Sequence, residues 1–238
     1  MHIDIQLVPI PPTPSLLLNR VIVVIDVLRA TSVIVHAMSQ GAEEIIPVKT
    51  VEEAFQMIKA FLPGSTLLGG ERGGQKIEGF DLGNSPREYA AEKVRGKRLI
   101  LTTTNGTKTF HDVSSRNKIM VVSFLNIGAV AQKCFEMDKD LLLYPSGEEG
   151  SFSLEDTVCG GMLIDLTIKK GKRPFTLTDA AQSAHLLYQR FEADLIEAFH
   201  LSNHGKELIA RGFEDDLAYC AQIDLTDVVP QFKDGVIR

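Results

Sequence analysis

The chain reads as an α/β protein: a three-layer α/β/α arrangement with a largely parallel sheet of about six strands and a helical C-terminal part. Three observations lead there. Val21-Ile22-Val23-Val24-Ile25 is an unbroken run of β-branched apolar residues, which suits a strand buried on both faces. Short apolar runs then alternate with helix-like segments as far as residue 145. From Leu154 onward the pattern is helical.

Taken in order, Ile3 and Ile5 alternate as an edge strand, and Pro9, Pro11, Pro12 and Pro14 make the stretch after it irregular. The 21–26 strand feeds a helix over residues 32–40, and residues 45–48 form the next strand. Thr50 with Glu53 has capping-box spacing and predicts a helix over 50–61. Residues 66–68 are a third strand, followed by a glycine-rich loop over 69–84. Ser85-Pro86-Arg87-Glu88 repeats the capping spacing with proline at the first helical position, predicting a helix over 85–94. Residues 98–103, 119–124 and 141–144 are strands, with a helix over 126–137 and a second long loop over 145–153. A helix from Leu154 ends at Lys169-Lys170-Gly171-Lys172-Arg173, a basic run that suits a helix C-terminus and a solvated turn. Leu187, Phe191, Leu195 and Phe199 recur every four residues and predict one amphipathic helix over 178–204. Two short helices, 206–211 and 214–222, follow. With no repeat and no clean linker, a single domain over 1–238 is expected.

At 238 residues, 44% hydrophobic and 24% charged, the composition is that of an ordinary globular protein. The net charge of −6 argues against a nucleic-acid or anionic-membrane surface, because both need clustered positive charge. No run approaches the roughly 18 apolar residues of a membrane span, and the N-terminus lacks the pattern of a signal peptide. The three cysteines show no CxxC spacing, so they read as small core residues in a reducing, cytoplasmic setting.

The polar insertions fall at equivalent places. Asp26 to Thr31, Glu71 to Asn84, Thr103 to Thr107 and Ser146 to Asp156 each follow a strand, and parallel strands would bring all four to one sheet edge. Asp26 is either a functional carboxylate or a helix cap. Thr103-Thr104-Asn105-Gly106-Thr107 offers hydroxyls and amides to an oxyanion, or is a plain Asn-Gly turn. Gly69-Gly70-Glu71-Arg72-Gly73-Gly74 pairs a metal-competent glutamate with an anion-competent arginine, but it does not match G-x-G-x-x-G. Asp81 reads as a loop carboxylate, and Glu155-Asp156 either caps a helix or holds a hard cation. His200 and His204 are spaced i, i+4 without the glutamate of H-E-x-x-H, and read as structural. Leu28 stands where a haloacid-dehalogenase phosphatase needs its second aspartate, which excludes that mechanism. Carboxylates, arginines and hydroxyls without a Ser-His-Asp set suit magnesium-assisted chemistry on a small anionic phosphorylated substrate.

Asp26-Val27-Leu28-Arg29-Ala30-Thr31-Ser32, the GERGGQKIEGFDLGNSPREY stretch over 70–89, TTTNGT over 102–107 and Ser153-Leu154-Glu155-Asp156 together resemble the 2-phosphosulfolactate phosphatase (ComB-like) family. His204-Gly205, Cys220 and the stretch from Asp224 to Pro230 are similar to that family as well. The resemblance implies a Mg²⁺-dependent phosphatase that converts 2-phosphosulfolactate to 3-sulfolactate, a product that leads to coenzyme M in some organisms. Fitting that substrate to the residues above gives a mechanistic hypothesis in which Asp26, Arg29 and Arg72 are catalytic and Thr31, Asn84, Thr103, Thr104, Asn105, Gly106 and Thr107 contact the substrate. Mg²⁺ goes to Asp26, Glu71, Glu155 and Asp156, with Asp81 in reserve. Asp26 then either attacks phosphorus or serves the metal. Two alternatives are a phosphatase of the same fold for another phosphorylated hydroxy acid, and a non-catalytic binder of acidic metabolites. Oligomeric state stays open, a symmetric homodimer being common for α/β enzymes of this size.

Overall fold

The computed structural model describes residues 1–113, 118–171 and 174–238, so Lys172 and Arg173 of the basic run lie outside the described residues. The elements begin with β1 (His2–Ile5), α1 (Pro14–Leu17), β2 (Val21–Ile25), α2 (Ala30–Ser39), β3 (Glu44–Pro47) and α3 (Val51–Met57). Next come β4 (Thr66–Arg72), β5 (Gln75–Lys76), α4 (Ala91–Val94), β6 (Arg98–Thr102), α5 (Gly106–Val113) and β7 (Lys118–Val122). Then follow α6 (Ile127–Met137), β8 (Leu141–Pro145), α7 (Leu154–Lys169), β9 (Thr176–Leu177) and α8 (Asp179–Phe191). The chain ends with α9 (Leu195–Leu201), α10 (Asn203–Ala210), α11 (Glu214–Cys220), β10 (Gln231–Lys233) and β11 (Val236–Ile237).

The strands form one 11-stranded sheet in the order β5-β4-β6-β3-β11-β10-β7-β2-β8-β1-β9. This corrects the expectation of a largely parallel, six-stranded sheet: the sheet is mixed. Two parallel blocks exist, β7-β2-β8-β1-β9 and β4-β6-β3, with β5 antiparallel on the outer edge of the second. The hairpin β10-β11 lies between the blocks, and its pairings to β7, within itself and to β3 are all antiparallel. Its turn is Asp234-Gly235, with φ of 52° and 85°, the left-handed pair that a two-residue hairpin turn requires.

β2 is the hub of the larger block, and all five of its residues are buried. Alternation sends Val21, Val23 and Ile25 into one core with residues of α6, α7, α8 and α9. Ile22 and Val24 enter a second core with Val33 and Ile34 of α2, Phe110 of α5, and Ile45, Leu99 and Leu101 from the other block. Full burial of each such side chain stabilises by roughly 1.5–3 kcal/mol, so the two-faced burial of β2 ties both layers to it. Because α5 touches both β2 and β3, the two blocks share one helical layer despite the hairpin between them.

Three local expectations change. The strand expected over 66–68 runs on to Arg72, with Gly70 (φ 143°) lying so close to β6 that any Cβ would collide with the Thr102 carbonyl. The helix expected over 85–94 is a 3₁₀ turn at Pro86–Glu88 followed by α4; the Ser85 hydroxyl does not cap it but donates to Asp216 Oδ1 at 2.6 Å. The helix expected over 178–204 is three helices. Asp194 accepts from the N–H groups of Ile196 and Glu197 and so starts α9, and Ser202 accepts from Gly205 and starts α10. No helix among the described residues is long and apolar enough to cross a membrane.

Candidate active site

Asp26 stands one residue beyond β2, where the chain leaves the sheet. Its Oδ1 accepts the Ala30 N–H at 3.2 Å, and its own N–H donates to the Thr31 hydroxyl at 3.1 Å, so the turn into α2 closes around it. The residue is 7% exposed. Burial pushes its carboxyl up to about 7, with Glu71 and Glu155 adding to the rise and the Ala30 amide and Arg29 opposing it. Its Oδ2 faces Gly106, where a Cβ would lie 2.5 Å away.

Glu71, near the end of β4, reaches the turn after β6. Its Oε1 accepts the Thr104 N–H at 2.7 Å, and its Oε2 accepts the Gly74 N–H at 2.8 Å and the Thr104 hydroxyl at 3.2 Å. One carboxylate therefore ties the glycine loop to the TTTNGT turn. Within that turn Thr103 and Thr107 bond reciprocally, hydroxyl to backbone, at 3.1 Å each way. Their hydroxyls hold the turn in shape, which leaves Thr104 and Asn105 as the part of it facing the cleft.

The cleft is lined by Asp26, Arg29, Glu71, Gly74, Asn84 and the turn over 103–105 on one side. Glu148, Glu149, His204, Glu207 and Arg211 complete it. Sequence reasoning did not select this second group. The HEXXH test applied to His200 and His204 had no bearing on it: α10 places His204 in the cleft, half-buried, while His200 on α9 is exposed. Burial lowers the His204 pKa, with the Glu155 carboxylate at 3.9 Å opposing that shift. Burial raises that of Glu148, with Glu155, Glu207 and Glu149 adding to the rise. Arg211 donates to the Gly73 carbonyl and to Glu207, closing the mouth of the glycine loop.

Seven selected residues stand apart from the cleft lining: Thr31, Gly106 and Thr107, which shape the turns behind it, and Asp156, Glu155, Asp81 and Arg72. Asp156 accepts the Val27 N–H at 2.8 Å, supporting the segment after Asp26 from below, and burial holds its carboxyl well above the usual range, with Asp26 and Glu155 adding to the shift. Glu155, 2% exposed, backs His204. Asp81 is exposed and accepts the Leu68 N–H at 2.8 Å. Arg72 turns away: its guanidinium donates to the carbonyls of Glu71 and Lys49 and to the Thr102 hydroxyl, at 2.7, 3.2 and 2.8 Å.

Among the described residues no three His, Cys, Asp or Glu side chains form a ready metal cage. Mg²⁺ commonly takes only one or two carboxylates and completes its shell with water and substrate phosphate. Asp26 and Glu71 fit that mode. They line one cleft, and their mutual repulsion helps to raise the Asp26 carboxyl, a strain that a bound cation would relieve.

Residues 11–235 match the family model described as 2-phosphosulpholactate phosphatase. A Clostridium novyi protein named "Probable 2-phosphosulfolactate phosphatase" is 42% identical over 214 residues, covering 90% of this chain and 89% of its own. Proteins of the same name from Caldanaerobacter subterraneus subsp. tengcongensis and Symbiobacterium thermophilum are 41% and 38% identical. The first covers 91% of this chain and 89% of its own, the second 97% and 98%. A match of this extent, spanning β2, the glycine loop, the TTTNGT turn and α10, places the chain in the 2-phosphosulpholactate phosphatase family.

Proposed function

We propose that the chain hydrolyses 2-phosphosulfolactate to 3-sulfolactate and phosphate with the help of Mg²⁺. The observation that carries the reading is that Asp26 and Arg29 line one cleft: a buried carboxylate with one oxygen unbonded by backbone, and a buried guanidinium on the same wall. Arg29, Asn84 and Arg211 supply donors for a substrate bearing phosphate, carboxylate and sulfonate. The surrounding carboxylates would repel that substrate, so a cation is needed at the carboxylate side. Asp26 and Glu71 would hold it. When bound, Mg²⁺ neutralises charge on the phosphoryl oxygens.

Asp26 acts through Oδ2, since Oδ1 is held by the Ala30 amide. In one route the ionised Oδ2 attacks phosphorus as the bond to the substrate oxygen breaks, that oxygen takes a proton from solvent, and water then cleaves the aspartyl phosphate to release phosphate and free Asp26. In the other, Asp26 takes a proton from a water that attacks phosphorus directly. A carboxyl with a pKa of about 7 is suited to that proton transfer near neutral pH. Rapid quench with labelled substrate separates the routes: a trapped phosphoenzyme supports the first, and its absence, with solvent oxygen appearing directly in phosphate, supports the second.

The deciding experiment measures phosphate release from 2-phosphosulfolactate, phospholactate and phosphoglycerate, each with and without Mg²⁺. A preference for the first substrate that needs Mg²⁺ is expected. Faster turnover of another phosphorylated hydroxy acid would reassign the substrate, and no turnover of any would leave a binder of acidic metabolites.

A further inference from the structure

α11 brings Asp216 up to the cleft wall, where its carboxylate receives two bonds. Arg29 Nη1 donates to Oδ2 at 2.7 Å and the Ser85 hydroxyl to Oδ1 at 2.6 Å. The Arg29 and Asp216 side chains are each 2% exposed. Arg29 Nη2 donates to the Gly74 carbonyl at 3.1 Å, and the guanidinium lies 4.3 Å from the centre of the Phe213 ring. Three sides of the fork are thereby held. Arg29 Nε is buried without a partner, and so is Oδ1 of Asn84, the neighbour of Ser85 in the chain. Both residues line the cleft: the leftover Nε–H donor marks where a ligand oxygen supplies the missing bond, and the Asn84 amide, its Oδ1 unbonded, can turn its NH₂ to the same ligand.

We infer that Asp216 is a positioning residue for the reaction proposed above. It sets the plane of the Arg29 guanidinium, and through Ser85 the place of Asn84, so that Arg29 Nε meets an oxyanion of the phosphorylated substrate. The role is orientation and not attraction, because Asp216 cancels the charge of the arginine it holds. A lysine at 29 would keep the charge and lose the fork that Asp216 grips. The inference takes its substrate from the phosphatase reading, but the coupling of Asp216 to Arg29 can be read without turnover.

The test is a double-mutant cycle on the full chain. Asp216→Asn is made in the Arg29 and Arg29→Ala backgrounds, and Ser85→Ala serves as a milder lesion if Asp216→Asn fails to fold. Thermal denaturation and circular dichroism check each variant. Asp215→Asn is the control, since Asp215 lies one residue away on α11 and only pairs with exposed Arg87 at 2.7 Å. On 2-phosphosulfolactate, Asp216→Asn is expected to lower kcat/KM at least tenfold, and Ser85→Ala about threefold, in folded protein. In the Arg29→Ala background only the arm through Ser85 and Asn84 remains, so the loss from Asp216→Asn shrinks to no more than the threefold of Ser85→Ala. Asp215→Asn changes kcat/KM less than twofold. Equal losses from Asp216→Asn in both backgrounds, or unchanged kcat/KM in folded Asp216→Asn and Ser85→Ala, overturn the inference. If the wild type turns over no phosphomonoester, the phosphatase reading fails by itself. The cycle is then read by calorimetric binding of inorganic phosphate, where an effect of Asp216→Asn larger in the Arg29 background supports the inference and an equal or absent effect in both backgrounds overturns it.

Discussion

Asp26 and Gly106 meet with no room between them: a Cβ on residue 106 would stand 2.5 Å from Asp26 Oδ2 and 2.5 Å from the Ala30 Cβ. The first residue of α5 is thus the wall against which the free oxygen of Asp26 rests. Neither neighbour can yield easily, since Ala30 begins α2 and Asp26 is fixed by the Ala30 amide. Gly106→Ala is expected to displace the carboxylate and lower kcat/KM at least a hundredfold, with an overpacking cost of about 1–3 kcal/mol. Phosphate release and a thermal melt measured on one preparation check this. An active variant would show that Oδ2 needs no fixed position.

Asp26 also sets a pH dependence. Its carboxyl lies near 7 in the folded chain against 3.8 ordinarily, so the folded state binds a proton that the unfolded state has already released. Stability from this group is therefore complete below about pH 4 and lost as pH rises through about 7. Asp26→Asn removes the penalty of the buried charge. It is expected to melt higher than wild type at pH 8, by up to about 4 kcal/mol, with the gap closed at pH 4. The same variant is expected to be inactive. Millimolar Mg²⁺ should raise the pH 8 melting point of wild type and leave Asp26→Asn nearly unmoved, which reads cation binding without turnover. Equal Mg²⁺ shifts in the two proteins would remove Asp26 from the cation site.

Arg72 and Asp81 separate structure from chemistry. Arg72 joins the ends of β4 and β6 to the chain after β3, and its removal leaves the Thr102 hydroxyl and two carbonyls without their donor. Arg72→Ala is expected to cost about 1–3 kcal/mol of stability while KM shifts less than twofold. Asp81→Asn keeps an oxygen for the Leu68 N–H, so a change within about 1 kcal/mol and an unaltered Mg²⁺ requirement are expected. Mg²⁺ titrations of activity on both variants decide; a rise in the Mg²⁺ requirement of Asp81→Asn would return that residue to the metal site.

The legible parts of the molecule were those where one local signal settles the outcome. β2 declared itself because burial on both faces leaves an uninterrupted apolar run, and α3 because Thr50 and Glu53 form the expected capping box. The hairpin β10-β11 was less visible, since only Phe232 and Ile237 are buried in it, yet it joins the two blocks and makes the sheet mixed. Asp234-Gly235 was the available signal for it. At the site, Asp26 and Glu71 follow apolar strands and stand out. Asp216 is one acid among three in the first turn of α11, where acids favour any helix, so only the fold distinguishes it. His204 reaches the cleft because Ser202 breaks the helical run that its four-residue periodicity suggested.

Glu71 offers the sharpest test of how the site is assembled, because its carboxylate takes three donors and presents none. Glutamine would keep one oxygen and turn an NH₂ toward either the Gly74 N–H or the Thr104 N–H, so one amide must face a donor. Losing a charge-assisted bond in a buried setting and leaving a donor unsatisfied costs about 1–3 kcal/mol. The glycine loop would then detach from the TTTNGT turn, taking the Gly74 carbonyl away from Arg29. Removal of this neighbouring negative charge also lets the Asp26 carboxyl fall from about 7. Glu71→Gln should therefore be less stable than wild type at pH 5, where Asp26 is protonated in wild type and only the lost bonds count. At pH 8, relief of charge at Asp26 offsets part of that deficit, and the gap narrows. Melting curves at the two pH values check this: a gap independent of pH would show that Glu71 acts on Asp26 through structure alone, and a gap that widens at pH 8 would contradict the repulsion between them.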